Sequence, residues 1–550
     1  MQNKFLIIGV DSATFDIIEP LVKQNSLPNL KHLMEKGCWG RLTSTIPPVT
    51  PPAWTSIVTG KNPGKHGVFD FYASPCSGYR RSVITARANR AKTLWTILSE
   101  RGLKVGALNV PLTYPPEKIN GFIVPGMQYA LSPEKDFTYP PSLLAELQEA
   151  LGSYEVVWGD LESLYTDKLD EFCHRWEKIL EIRKKATLYL MQKYPWDFFM
   201  VVFYAIDPVQ HHFWKFFDTT HPLHNPRLAQ KYKDIIPYFY QKIDEAIGEI
   251  LQHVDKNTNV IIVSDHGAGP EHKSFYLNLW LYKEGLLKFK EIPYNFLARI
   301  KWPHFIYKIL GRLKFPSIAW TVSLDQLRLL RKYIDPREGL EVSYFIDWSK
   351  TKAFAGNHTE QGIYLNVKGR EPQGIVEPGA EYENLREYII RRLYQLEDSD
   401  IRGKVVNKVY KREEVYSGPY VKFAPDLFLV LKNGSYLAQK ECYPGPLFRY
   451  TNKTTGTHSF EGIFIAKGKN IKKGQGLTKL HVTDVTPTVL HLLNQPIPRD
   501  MDGRVLTEIT QKHAHPQYCK ESSQIQQREE GFSKREDEEI RNTLRNLGYL

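Results

Sequence analysis

An α/β protein built on a mostly parallel sheet follows from three features of this chain. Short uninterrupted apolar runs, FLIIGV at 5–10, KVGALNV at 104–110, FFMVVFYAI at 198–206 and NVIIVS at 259–264, carry the continuous pattern of strands covered on both faces. Between them stretches of helical period at 92–101, 170–193 and 228–253 give the order βαβ, and hence an α/β sandwich. The third feature is composition: 550 residues, 42% hydrophobic and 24% charged, suffice for a large core and exclude collagenous, coiled-coil and mainly disordered chains.

Residues 1–275 are expected to form the first part of this core. After Asp265 the character changes, and 276–350 reads as a basic, aromatic-rich helical insertion, a cap or lid. Its segment 283–332 holds eleven basic residues against three acidic ones, most of the net charge of +12, with Trp302, Phe305, Tyr307, Phe315 and Trp320 interleaved. That pattern fits a solvated basic face, a lid over a phosphate-containing substrate, or peripheral contact with an anionic membrane. Strand-like KAFAG (352–356) and GIYLNV (362–367) and a helix at 381–397 mark 351–455 as the rest of the insertion with core strands. GIFIAKG (462–468) and a helix within VTDVTPTVLHLL (482–493) assign 456–510 to the core again. Residues 511–550 read as a charged linker and a short C-terminal helix with Ile540, Leu544 and Leu547 on one face.

The N-terminal apolar run stops at Asp11, too short for a signal-peptide core, and no stretch reaches the about 18–20 apolar residues of a membrane helix. Five dispersed cysteines without a C-x-x-C pair read as free thiols of a reducing compartment, so the expected location is the cytoplasm. Net charge apart, there is no nucleic-acid-binding module and no signal of oligomeric state.

The chemistry lies where predicted strands end. FLIIGV runs into Asp11, FYAI into Asp207, and VIIVS into Asp265 followed by His266. In an open parallel sheet ligands bind beyond the carboxyl ends of the strands, so these side chains are expected on one rim. His211 stands one helical turn beyond Asp207, and His458 lies in a Gly/Thr-rich loop before another strand. Each alone has an ordinary reading, an N-cap aspartate or a structural histidine. Together they supply six oxygen and nitrogen ligands without cysteine, suited to two exchangeable divalent ions that clamp attacking and leaving oxygens.

A nucleophile is offered by TSTIPPVTPPAWTSIVTGKNPGKHGVFDF (43–71). Thr50 precedes Pro51-Pro52 and a helical run, so its hydroxyl would sit at a helix N-terminus where the dipole and free amides favour an oxyanion; the alternative is that Thr50 only caps the helix. His66 and Asp502 read as turn-fixing residues, His212 as packing, and Lys61 and Lys65 as residues that either meet phosphate or are solvated. His272 and His358 are placed near the site without a spacing argument.

The series GVDSATFD, PPVTPPAWTSIVTGKNPGKHGV, AIDPVQHHFW, SDHGAGP, GTHSFEGIFIAKG and DVTPTVLHLL with PRDMDGRVL, spanning about residues 4–510, resembles the alkaline phosphatase superfamily, in particular its type I phosphodiesterase/nucleotide pyrophosphatase branch. The resemblance implies an alkaline-phosphatase-like three-layer α/β/α sandwich with a mostly parallel central sheet and an inserted cap. It implies a metal-dependent phosphohydrolase acting on a small-molecule phosphate ester, with Asp207, His211 and His458 on one ion and Asp11, Asp265 and His266 on the other together with the nucleophile Thr50. Zinc is the first expectation, and manganese suits the same ligands. Where the nucleotide pyrophosphatases carry Thr-Phe-Pro-Asn-His, this chain has Thr50-Pro51-Pro52-Ala53-Trp54, and Ala53 cannot give the phosphate hydrogen bond of that Asn. A phosphomutase or phosphomonoesterase is therefore the first alternative, and a non-catalytic basic binding protein the second. Sulfatase chemistry is disfavoured, since the C-x-P-x-R pattern is absent at this segment.

Overall fold

Strand ends, more than strand lengths, decide this architecture. The computed structural model describes residues 4–73, 79, 83–126, 137–154, 168–290, 346–356, 361–401, 403–440, 442, 445–451, 454–511, 515–520 and 524–525. Six strands of the first 275 residues enter one sheet: β1 (Phe5–Val10), β2 (Cys38–Thr43), β3 (Val105–Leu108), β4 (Gly121–Val124), β5 (Phe198–Phe203) and β6 (Asn259–Val263). The nine-stranded sheet has the order Gln475–Gly476, β2, Glu461–Lys467, β6, β1, β5, β3, β4, with Leu480–His481 also on β2. Its β6-β1-β5-β3-β4 half is parallel, and Glu461–Lys467 lies antiparallel between β6 and β2.

Every residue of β1, β5 and β6 is buried, as unbroken apolar runs require when helices cover both faces. Register then aligns their ends: Val10 pairs with Phe203, and Gly9 with Val263. A Cβ on Gly9 would lie 2.4 Å from the Trp54 indole, so the bare backbone there lets that ring pack against β1.

The predicted helix at 228–253 is two helices, Pro226–Tyr232 and Ile235–Gln252. Pro237 has no N–H to give to the preceding turn, so the chain restarts with Asp234 at the cap and the proline in the first turn, where the missing donor costs nothing. The other predicted helices form at Leu94–Glu100, Leu169–Lys193, Ala380–Leu393 and Val485–Leu492. Residues between Phe275 and Ala438 build a second hydrophobic core around an antiparallel sheet of Val406–Lys411, Leu427–Leu431, Gly362–Leu365 and Ala353–Phe354. From residue 291 on, the basic segment 283–332 lies outside the described residues, as do His358 and the predicted C-terminal helix with Ile540, Leu544 and Leu547. Among the described residues no helix is long and apolar enough to cross a membrane, and the four described cysteines form no disulfide.

The loop after helix Thr50–Thr59 is tied down by groups the sequence left between two readings. Lys61 is fully buried and pairs with Asp500 at 2.8 Å, while the partly exposed Lys65 pairs with Asp502 at 2.5 Å, so both cations are paired with carboxylates of the 500–502 turn. Asp502 also accepts from the Asn62 backbone and side-chain amides, both at 2.8 Å. His66 Nδ1 accepts from Val68 N at 3.2 Å, which leaves its Nε2–H to donate to Ser56 Oγ at 3.0 Å.

Burial, and then the Lys61 charge, push the His66 pKa down to about 3. An unfolded histidine titrates near ~6.5, so between these values the unfolded chain binds the extra proton. The stability that neutral His66 contributes is complete above about pH 6.5 and falls as the pH drops, by roughly 2 kcal/mol between pH 6.5 and 5. His66→Asn keeps an acceptor for Val68 N without titrating, and its melting temperature is expected to decline less steeply from pH 7 to pH 5 than that of the wild type. Parallel declines would contradict this.

Candidate functional site

Asp11 follows β1 directly, Asp207 opens the helix Ile206–Phe217 that follows β5, and Asp265 stands two residues past β6. All three carboxylates are 0% exposed. The helix brings His211 to the same face as Asp207, and the antiparallel pairing of Gly456–Ser459 with Gly267–Pro270 lays His458 over the rim. Asp11, Asp207, Asp265, His211 and His458 therefore lie on one rim, with His266 and Thr50 against them.

Two groups of ligand atoms emerge, each within 4.8 Å: Asp207, His211 and His458, and Asp11, Asp207 and His266. Asp207 Oδ1 is 3.5 Å from His211 Nε2 and 3.4 Å from His458 Nε2, and the two Nε2 atoms are 3.1 Å apart. Each ring's other nitrogen faces a backbone carbonyl, His211 Nδ1 toward Gly456 O at 2.7 Å and His458 Nδ1 toward Pro48 O at 3.0 Å. A carbonyl only accepts, so both Nδ1 atoms carry the proton and two Nε2 lone pairs converge with a carboxylate oxygen. His266 repeats the pattern. Its Nδ1 donates to Gly267 O at 3.1 Å, which leaves the Nε2 lone pair 3.2 Å from Asp265 Oδ2, 3.8 Å from Asp11 Oδ1 and 3.3 Å from Thr50 Oγ1. Its ring stacks on His458 at 3.9 Å between centroids.

Lone pairs and carboxylates that face one another in a buried cluster are costly unless a cation sits among them. Asp11 Oδ1 and Asp265 Oδ2 are buried and accept no hydrogen bond from any described residue. Burial, and then the charges of Asp265 and Asp207, push Asp11 well above the usual carboxylate range, and burial followed by Asp207 does the same to Asp265. Burial acts on Asp207 in the same sense, but in their protonated forms His211 and His458 outweigh it and hold Asp207 well below that range. The donor set, all carboxylate oxygen and imidazole nitrogen, fits divalent cations of the zinc or manganese kind. Its geometry differs from the sequence expectation in one respect. Asp207 belongs to both groups, whereas Asp265 stands outside them, its Oδ2 3.2 Å from His266 Nε2.

Thr50 is 0% exposed and is the first residue of helix Thr50–Thr59, with Val49 at the cap position. The expected ring of free amides is not there. Pro51 and Pro52 have no N–H, and Ala53 N already donates to Val49 O at 3.0 Å, so the helix end offers Thr50 its dipole but few donors.

Sequence reasoning missed Trp54 as part of the site. Its Nε1–H donates to Asp11 Oδ2 at 2.9 Å, an indole with one donor and no acceptor holding one carboxylate oxygen and leaving Oδ1 to face the cluster. Gln210 was also missed: Nε2 donates to Ser12 O at 3.0 Å while Tyr240 Oη donates to Oε1 at 3.1 Å, which ties the Asp207 helix to the loop that carries Asp11. Neither contact has a local signal, since 43 and 198 residues separate the partners. His212 packs edge-on against Phe172, 5.0 Å between centroids, and His272 lies 5.3 Å from the His221 ring, outside both groups.

Comparison with known proteins bears on the family and the fold. The family model for type I phosphodiesterase/nucleotide pyrophosphatase matches residues 5–461. Among solved structures, phosphonoacetate hydrolase from Sinorhizobium meliloti 1021, in complex with phosphonoformate, is 15% identical with a TM-score of 0.50, covering 90% of this chain and 95% of that one. Human ectonucleotide pyrophosphatase/phosphodiesterase 5 is 15% identical with a TM-score of 0.49, covering 93% of this chain and 100% of that one. At such identities the likeness to these structures concerns the fold alone. No curated relative matches the sequence.

Two outcomes are expected from altered side chains. His458→Ala, stripped and reloaded, should carry less metal per chain than the wild type by elemental analysis; equal content would remove His458 from the ligand set. Trp54→Phe frees Asp11 Oδ2 and should weaken metal affinity by about 10- to 100-fold in a chelator competition, the usual effect of losing a partner behind a ligand.

Proposed function

The chain belongs to the type I phosphodiesterase/nucleotide pyrophosphatase family and is a hydrolase acting on phosphoric ester bonds, and we propose that Thr50 is its nucleophile. The substrate would be a small phosphodiester or pyrophosphate-type anion, cleaved through a covalent phospho- or nucleotidyl-threonine. Asp207, His211 and His458 would hold one divalent cation, and Asp11, Asp265 and His266 with Thr50 the other, zinc being the first choice. When bound, such ions supply Lewis-acid polarisation of phosphoryl oxygens and a lower pKa for the threonine hydroxyl.

The chain's own part is positional. Thr50 Oγ1 would lose its proton and form the bond to phosphorus as the bond to the leaving oxygen breaks and that oxygen takes up a proton; water would then cleave the threonyl ester, one of its protons restoring the hydroxyl and its oxygen leaving on the phosphate product. Helix Thr50–Thr59 aims its dipole at the charge that develops beside Thr50. The observation that carries the reading is the approach of Thr50 Oγ1 to His266 Nε2, 3.3 Å apart on a rim of three buried carboxylates. Free cysteines among the described residues fit a reducing compartment, the cytoplasm.

A second reading, phosphomonoesterase or phosphomutase, is supported by Ala53, which stands where the diesterases carry an amide donor. Both readings need Thr50. Thr50→Ala should keep fold and metal yet lose turnover by about a thousandfold or more, as removal of a covalent nucleophile does. Aryl phosphate monoester and diester hydrolysis, run side by side with zinc, manganese or chelator, separates the two. Diester preference supports the first reading and monoester preference the second, while unchanged turnover by the mutant would exclude Thr50 as nucleophile.

A further inference from the structure

The segment that delivers Thr50 is unusual in how it is held. In Ile46-Pro47-Pro48-Val49-Thr50-Pro51-Pro52 four of seven residues lack an N–H, so the loop can be fixed mainly through its carbonyls. Three consecutive carbonyls are in fact taken by side-chain donors. Tyr416 Oη donates to Ile46 O, Thr45 Oγ1 to Pro47 O at 2.8 Å, and His458 Nδ1 to Pro48 O at 3.0 Å. Thr45 belongs to the loop and His458 to the rim. Tyr416 alone comes from elsewhere, the connection between strands Val406–Lys411 and Leu427–Leu431 of the antiparallel sheet.

That connection also grips the segment that follows helix Thr50–Thr59, the short helix Pro63–His66 and its cap. Ser417 N donates to Asn62 Oδ1 at 3.2 Å, Asn62 Nδ2 donates to Ser417 Oγ at 3.2 Å, and Tyr420 N donates to Gly64 O at 2.9 Å. Two glycines make the approach possible: a Cβ on Gly418, whose φ is +124°, would lie 2.6 Å from Gly64 O, and one on Gly64 would lie 2.6 Å from Ser417 O. Tyr416 itself is buried between Phe69 and Phe428, with ring centroids at 5.6 and 5.3 Å, so its hydroxyl has little freedom to move.

We infer that Tyr416 is a positioning residue for Thr50, through which the antiparallel sheet sets where the nucleophilic hydroxyl stands on the rim. The inference rests on the reading of Thr50 as nucleophile. Among the described residues, the Tyr416 hydroxyl bonds to Ile46 O and to neither Thr50 nor a ligand residue. It acts through the Ile46 carbonyl and a loop whose prolines transmit a shift instead of absorbing it.

The test is Tyr416→Phe, which removes one oxygen and keeps the ring between Phe69 and Phe428. With full-length, metal-loaded protein and the better aryl phosphate ester, kcat is expected to fall about tenfold with KM within about twofold. Metal content should be unchanged, and the melting temperature within about 2 °C, since one hydrogen bond is a small part of the stability of a chain this long. Hydrogen exchange supplies a readout that needs no turnover: the Val49, Thr50, Ala53 and Trp54 amides should exchange at least about tenfold faster in the variant, with β1 unaffected. A purely structural role would lower the melting temperature and quicken exchange in the surrounding strands without singling out this loop or splitting kcat from KM. Unaltered exchange at Val49–Trp54, or unaltered kcat in a preparation whose Thr50→Ala variant is inactive, would overturn the inference. If Thr50→Ala remains active, the nucleophile reading fails, and the exchange result still decides whether Tyr416 fixes the loop.

Discussion

Three carboxylates buried on one rim are the constraint around which this molecule is arranged. Asp11, Asp207 and Asp265 are brought there by register, because β5, β1 and β6 are adjacent, parallel and level at their carboxyl ends. Without compensation such a cluster opposes folding, as burial and mutual repulsion push two of the three acids toward their neutral form. The surrounding histidines are prepared for that compensation. Each directs a protonated Nδ1 at a backbone carbonyl and turns its Nε2 lone pair toward the carboxylates. Charge and lone pairs thus concentrate where a dication would sit.

The rest of the structure keeps these groups from relaxing apart. Trp54 occupies one oxygen of Asp11 and packs on the bare backbone of Gly9, while Gln210 and Tyr240 bind the Asp207 helix to the Asp11 loop. The proline-rich segment before Thr50 has few amides to offer, and it is secured through its carbonyls by Thr45, His458 and Tyr416. Rigidity of this kind would suit the role proposed for Thr50, which depends on the position of a single oxygen.

Much of this was legible in the sequence because the information is local. An apolar run that halts at aspartate announces both a buried strand and a polar rim, and the four-residue spacing of Asp207 and His211 puts both on one helical face. His458 could be placed only as a residue before a strand; its neighbours depend on a pairing across almost 200 residues, with Gly267–Pro270. What could not be read was the use of groups with more than one possible partner. In sequence Lys61 and Lys65 are compatible with phosphate or with solvent, and it is the distant 500–502 turn that neutralises them. The helix N-terminus looked rich in amides, although Pro51 and Pro52 had already removed two of them, a point the sequence did contain. Trp54 registered only as a departure from a motif, since nothing nearby says that an indole reaches back to Asp11.

Divalent cations are expected to complete the carboxylate rim. Calorimetric titration of chelator-stripped protein with zinc, repeated with manganese, tests this directly. Two equivalents bound per chain, together with a rise in melting temperature on loading, is the predicted result. A stripped protein that binds neither ion at the rim and melts at the same temperature with or without them would contradict the account.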